Sequence, residues 1–219
     1  ILLSGRRGKC IRFSVIDVRV FKSRGSVGVR GIRLICDDEL IAMSILRHAD
    51  YESDARERYL RWSNARRRAE GEGEGTGSGE TLPSPPEQAQ AMAAAEQYVL
   101  SITENGYGKR TSAYEYRVTG RGGQGIINIE ASDRNGPVIA SAPVEEGHHI
   151  MLVTDTGRLI RTPVHDIRIA GRNTQGVTLF DVEPNERVVS VAWLSEQSNG
   201  SDEDTEDNGG NEDNGDNGG

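Results

Sequence analysis

The chain has 219 residues, of which 35% are hydrophobic and 27 are glycine, with 26 Lys and Arg against 34 Asp and Glu for a net charge of -8. It holds no run of about 18 apolar residues, which excludes a membrane-spanning helix. Its two cysteines, Cys10 and Cys36, lack Cys-x-x-Cys spacing and fall in apolar strand candidates, which points to buried thiols in a reducing compartment and away from a disulfide scaffold or a metal site. The charge is unevenly spread. Residues 1–47 carry ten bases and four acids, residues 48–97 six and ten, and residues 196–219 nine acids and no base. The sequence starts at Ile1 within a strand-like run, without a signal peptide, and reads as a piece cut at a repeat boundary.

In chain order, residues 1–47 predict short strands at Ile1–Ser4, Lys9–Phe13, Val29–Leu34 and Leu40–Ile45, separated by Gly and Asp turns. Residues 48–97 break that pattern and read as an insertion. Tyr51, Ala55, Tyr59, Trp62 and Ala65 recur on one helical face. Glu70 to Pro86 has the Gly/Glu/Ser/Pro composition of a flexible linker, and the Ala-rich stretch Glu87 to Gln97 predicts a second helix after Pro86. Residues 98–147 and 148–195 return to strands, at Tyr98–Ile102, Ile126–Ile129 and Val138–Ala140, then Ile150–Val153, Val177–Phe180 and Val188–Val191. Residues 196–219 hold nothing that could be buried and are expected to be disordered.

Three of these segments are copies. An apolar residue precedes a turn glycine by seven in each: Ile1 and Gly8, Val99 and Gly106, Ile150 and Gly157. An arginine follows that glycine by four (Arg12, Arg110, Arg161) and an acid follows the arginine by five (Asp17, Glu115, Asp166). Repetition of this kind means a unit that buries its apolar face against its neighbours. The expected fold is all-β, a propeller-like series of blades of four short strands at 1–47, 98–147 and 148–195, with a helical insertion at 48–97 and an acidic tail at 196–219.

Enzyme motifs fit poorly. Gly106-Tyr107-Gly108-Lys109-Arg110-Thr111 and Gly5-Arg6-Arg7-Gly8-Lys9 lack the glycine spacing of a phosphate loop and lead into strands. His148 and His149 have no partners at metal-binding spacing and read as a solvated turn, and no nucleophile motif frames any Ser. Trp62 and Trp193 read as packing residues. The basic residues are the stronger lead. Loops of successive blades lie along one rim, so their cations would form a curved track for duplex DNA phosphates. The DNA-facing candidates are Arg6, Arg7, Lys9, Lys22, Arg24, Arg30, Arg33, Lys109, Arg121, Arg158 and Arg172. The recurring Arg12, Arg110 and Arg161 are read either as DNA contacts or as structural partners of the acids that follow them, with Arg161 held by Asp166. The arginines of the first predicted insertion helix are read as a solvated face or, alternatively, as a DNA contact. The acidic tail would compete with DNA for the basic rim.

The wording of Asn105-Gly106-Tyr107-Gly108-Lys109-Arg110-Thr111, Gly171-Arg172-Asn173-Thr174-Gln175-Gly176-Val177, Val29-Arg30-Gly31-Ile32-Arg33-Leu34 and Asp133-Arg134-Asn135-Gly136 resembles the C-terminal DNA-wrapping domain of the bacterial DNA gyrase A protein. The resemblance covers roughly 1–47 and 97–195 and implies the second half of a six-bladed β-pinwheel. It implies a non-catalytic module with no cofactor of its own, ATP and Mg being used on other domains of the parent enzyme, a topoisomerase. The implied partners are double-stranded DNA and the rest of the gyrase A protein with the gyrase B protein in an A2B2 holoenzyme, in the cytoplasm with the nucleoid. The family's basic Gln-Arg-Arg-Gly-Gly-Lys-Gly box is absent. Two rivals stand beside this reading: the equivalent domain of topoisomerase IV, and a protein-interaction propeller.

Overall fold

The computed structural model describes residues 1–71 and 83–195, so most of the expected linker and all of the acidic tail lie outside the described residues. Its strands are β1 (Leu2–Gly5), β2 (Lys9–Arg12) and β3 (Leu40–Ser44), then helices α1 (Ser53–Ala69) and α2 (Ala89–Ala95). There follow β4 (Tyr98–Thr103), β5 (Tyr107–Ser112), β6 (Ile126–Ile127), β7 (Val138–Val144), β8 (His149–Thr154), β9 (Leu159–Pro163), β10 (Val177–Thr178) and β11 (Val188–Leu194).

Each repeat folds a tight antiparallel hairpin, β1–β2, β4–β5 or β8–β9, and a returning strand pairs on the hairpin's first strand. The fourth strand comes from elsewhere. The sheets run β3-β1-β2-β6, β10-β5-β4-β7 and β11-β8-β9. Thus β6, from the second repeat, completes the first sheet through Lys9 opposite Ile127 and Cys10 opposite Ile126. Likewise β10, from the third repeat, completes the second through Val177 opposite Gly108. The sequence places the strands at Ile126 and Val177 within their own units, and the register corrects this. Val29–Leu34, the matching segment of the first repeat, forms no strand: no blade precedes it among the described residues, and its Arg33 amide bonds the Gly123 carbonyl at 2.8 Å instead. Just beyond it, Cys36 and Asp37 take left-handed turn conformations (φ 53° and 57°), so the Cys36 thiol is exposed, contrary to expectation, while Cys10 is buried.

The strand exchange explains the turn glycines. Gly8 and Gly106 have φ of +81° and +77°, and a Cβ on either would stand 2.2 Å from a carbonyl of the incoming segment, Ile129 or Phe180. Their own carbonyls accept the amides of Asn128 and Ile129, and of Leu179 and Phe180. Only a residue lacking Cβ permits that approach in that conformation. Gly157 has the same kind of φ (+86°) but open space around it, because no further unit follows among the described residues.

Apolar residues from both sides fill each junction. Leu2, Cys10, Leu46, Val99, Ala113 and Tyr116 close the first. Leu100, Ile102, Val144, Ile150, Leu152, Val164 and Ile167 are among those closing the second. The insertion packs on the second blade. Tyr59 of α1 and Ala89 and Met92 of α2 enclose Tyr114, whose ring meets Tyr59 edge-on at 5.5 Å and whose hydroxyl donates to the Met92 carbonyl at 2.9 Å. Glu96 accepts from Tyr59 and Tyr98 at 2.7 and 2.8 Å. Burial together with that carboxylate raises both phenols' pKa values. The face read from the sequence is therefore the packed face of α1, and Arg58 and Arg61 stand off it, exposed.

Candidate nucleic-acid interface

The basic residues fall into two classes set by the blade junctions. The recurring arginines are clasps. Arg12 is 8% exposed and donates to the Ala113 and Tyr116 carbonyls at 2.9 and 3.3 Å, both in the next blade, and to the Arg47 carbonyl. Arg110 repeats this one blade later, donating to the Ile167 and His165 carbonyls at 2.6 and 2.9 Å. The acid five residues on does not pair with either. Glu115 instead accepts the Arg172 amide at 2.9 Å. Arg161 has no following blade among the described residues; it is exposed, donates to His149 Nδ1 at 3.3 Å, and leaves Asp166 to His165. Arg12 and Arg110 are therefore structural in this fold, and Arg161 is not held by Asp166.

Lys109 corrects a second expectation. It has no exposed surface, and its Nζ sits among the Gly171, Arg172 and Thr174 carbonyls (2.5, 2.7 and 3.2 Å) and Thr174 Oγ1 (3.1 Å). Its ammonium staples the Gly-flanked loop 171–176 of the third repeat onto the second blade and is not presented to a ligand. Burial lowers its pKa to about 7, opposed by the Glu115 carboxylate. Arg172 is half-buried, bonded to the Ile127 carbonyl at 2.7 Å and 3.8 Å from Glu115. Arg158 lies over the Phe180 ring and pairs at 2.6 Å with Glu186. Hydrogen bonds from Thr156 and the Glu183 amide, with Arg158 adding, hold that carboxyl at about 2.

What remains accessible concentrates on the first repeat. Arg7, Lys9, Lys22, Arg24, Arg30 and Arg33 are all at least partly exposed. Arg6 is partly exposed and shares Glu104 with Arg187 at 3.7 Å. Arg121, from the second repeat, joins this group: its guanidinium donates to the Asp17 and Arg30 carbonyls at 3.0 and 3.3 Å, bringing Arg121, Arg30 and Arg33 to one junction. Chemically this is a field of cations beside loop amides, suited to oxyanions spaced along a polymer. Sequence reading missed Arg134, exposed over the Tyr107 ring at 5.2 Å; its place in the Asp-Arg-Asn-Gly turn was the available signal. Among the described residues, no three His, Cys, Asp or Glu side chains are grouped to hold a metal ion, and no helix is long and apolar enough to cross a membrane.

The same arrangement recurs in known proteins. A family model described as DNA gyrase C-terminal domain, beta-propeller, matches residues 1–47, 97–145 and 148–192. The chain belongs to that family. The match skips the insertion. The DNA gyrase A protein of Rickettsia bellii is 44% identical over 207 residues, covering 94% of this chain and 23% of that protein. The Granulibacter bethesdensis protein of the same name is 43% identical over 224 residues, covering 94% and 24%. The chain thus spans about a quarter of the length of the relatives it matches. Two solved structures share the fold. A DNA gyrase A C-terminal domain has a TM-score of 0.57 at 21% identity over 88% of this chain and 50% of that one. A topoisomerase IV C-terminal domain has a TM-score of 0.59 at 18% identity over 89% and 46%. The strand-exchanged blades described above are therefore the pinwheel form of this propeller family.

Proposed function

We propose that the chain is the non-catalytic DNA-binding and DNA-wrapping module of a DNA gyrase A protein. In this reading it works within an A2B2 assembly whose ATP and Mg chemistry lies on other domains, and it acts on nucleoid DNA in the cytoplasm. The observation that carries this is the accessible cationic field of the first repeat, continued by Arg121 at the junction, in a chain of the gyrase C-terminal family. The cationic edge starts on the first repeat and crosses its junction through Arg121, so duplex that follows it onto the second blade would bend. Bending stiff DNA costs several kcal/mol, which phosphate contacts along the curve must offset.

The test is binding by the full-length protein to a short duplex and to one of about 100 base pairs. The longer duplex should bind more tightly. Affinity should fall steeply with salt, by about 0.9 logarithmic units per phosphate neutralised for each decade of salt. Lys9→Ala with Arg30→Ala and Arg33→Ala should lower that slope by roughly 2 to 3. Length-independent binding, or a slope the triple variant leaves unchanged, would sink the reading and favour a protein-interaction propeller.

A further inference from the structure

The insertion carries three consecutive arginines in the last turn of α1, and the fold treats each differently. Arg66 lies over the Trp62 ring at 5.0 Å and pairs with Glu70 at 3.6 Å. Arg67 turns inward. It is 7% exposed and bonds Ser63 Oγ and Asn64 Oδ1 at 2.9 and 2.7 Å, with no carboxylate among its hydrogen-bond partners. Arg68 is exposed, its Nε on the Asn64 carbonyl at 3.3 Å.

Opposite this turn lies the third repeat. Arg67 and Arg68 meet Arg168, Gly171 and Thr174 across a cleft of about 250 Å³. Among the described residues, none of the ion pairs involves Arg67, Arg68 or Arg168. The nearby Glu115 is engaged by the Arg172 amide and guanidinium. The C-terminal end of α1 lends weak negative character that partly offsets the arginines without neutralising them. Arg67 also borders a cleft lined by Glu96, Glu145 and Glu146, so carboxylates lie near its buried guanidinium but none among the described residues is in contact, and an anion in contact would complete it. Guanidinium groups converging on one cleft suit a phosphate, whose oxygens accept from several of their forked donors at once. The cleft also shares Gly171 and Thr174 with the loop that Lys109 staples at the second junction, which makes it continuous with the blade edge.

We infer that the cleft formed by Arg67 and Arg68 of the insertion and Arg168 of the third repeat is a second DNA-phosphate site, through which the insertion extends the protein's path on duplex DNA. This rests on the DNA-binding reading above. It gives the insertion a function: a helical arm that adds cations at a blade whose own formal charge, over residues 148–195, balances at five bases and five acids.

The test compares Arg68→Ala with Arg168→Ala, introduced together in the full-length protein, with the parent and with the rim triple variant on an approximately 100-base-pair duplex. The double variant should lower the salt slope by about 1 to 2 and shorten the protected DNA footprint. Arg68→Lys with Arg168→Lys should restore most of the slope, which a purely structural role would not require. Arg58→Ala, on the exposed face and ion-paired with Asp54, should change little. An unchanged slope and footprint in the double variant, while the rim variant loses binding, overturns the inference and leaves the proposed function standing. Loss in neither variant overturns the proposed function itself. An effect that disappears once residues 196–219 are removed assigns the cleft to the acidic tail, and also overturns the inference.

Discussion

Arg110 and Arg161 hold the same position in successive repeats, yet one is buried against carbonyls of the next blade and the other is exposed beside His149. Gly106 and Gly157 differ in the same sense, one with a neighbouring carbonyl where its Cβ would be and the other in open space. The repeat thus encodes a junction, not a blade. Its recurring pattern of glycine and arginine acquires its purpose where another unit docks, and among the described residues none docks on the third repeat.

Substitutions at the paired positions test that contrast most sharply. Gly106→Ala forces a Cβ into the Phe180 carbonyl from a left-handed backbone and should destabilise by roughly 4 kcal/mol, whereas Gly157→Ala meets only the conformational penalty of about 1 kcal/mol. Urea unfolding of both measures the gap, and equal losses would break the comparison. Next in size, Arg110→Ala removes donors from two carbonyls and leaves a void, for an expected loss of about 3 kcal/mol. Arg161→Ala should stay within about 0.5 kcal/mol. The smallest effect is a pH dependence at Lys109. Its folded pKa is lowered to about 7 from the ordinary lysine value of 10.5. Between those values the unfolded chain binds a proton the folded chain has released, so stability rises with pH across that window and the penalty is fully present below it. Lys109→Met should flatten this rise in melting temperature measured from about pH 7 to pH 10; an identical rise in the variant would assign it to other groups.

Much of the architecture was legible because turn glycines and alternating strands recur at fixed spacing, and the helical face of Tyr51, Tyr59 and Trp62 was equally plain. What the pattern could not tell was which sheet an edge strand joins. The apolar pair Ile126–Ile127 after its Gly-rich turn marks a strand but not its partner, and the partner lies in another repeat. Charge misled in the same way. Lys109 and Arg172 look like loop cations, but the loop folds back over the preceding blade and takes their donors inward. Arg161 and Asp166 have the spacing of an ion pair, but the strand carries the guanidinium towards His149. The accessible residues of the first repeat were recoverable from composition, because that segment's ten bases exceed what its four acids can neutralise.

The exchange of β6 and β10 also bears on how the molecule comes off the ribosome. The edge of the first sheet at Lys9 and Cys10 waits for Ile127 and Ile126, nearly 120 residues later, and the insertion accounts for about two-fifths of that interval. At synthesis rates of about 5–20 residues per second, the wait is roughly 6 to 20 s. During that time the nascent chain exposes an unpaired strand edge, a surface that a chaperone, or a misplaced neighbour, would find first.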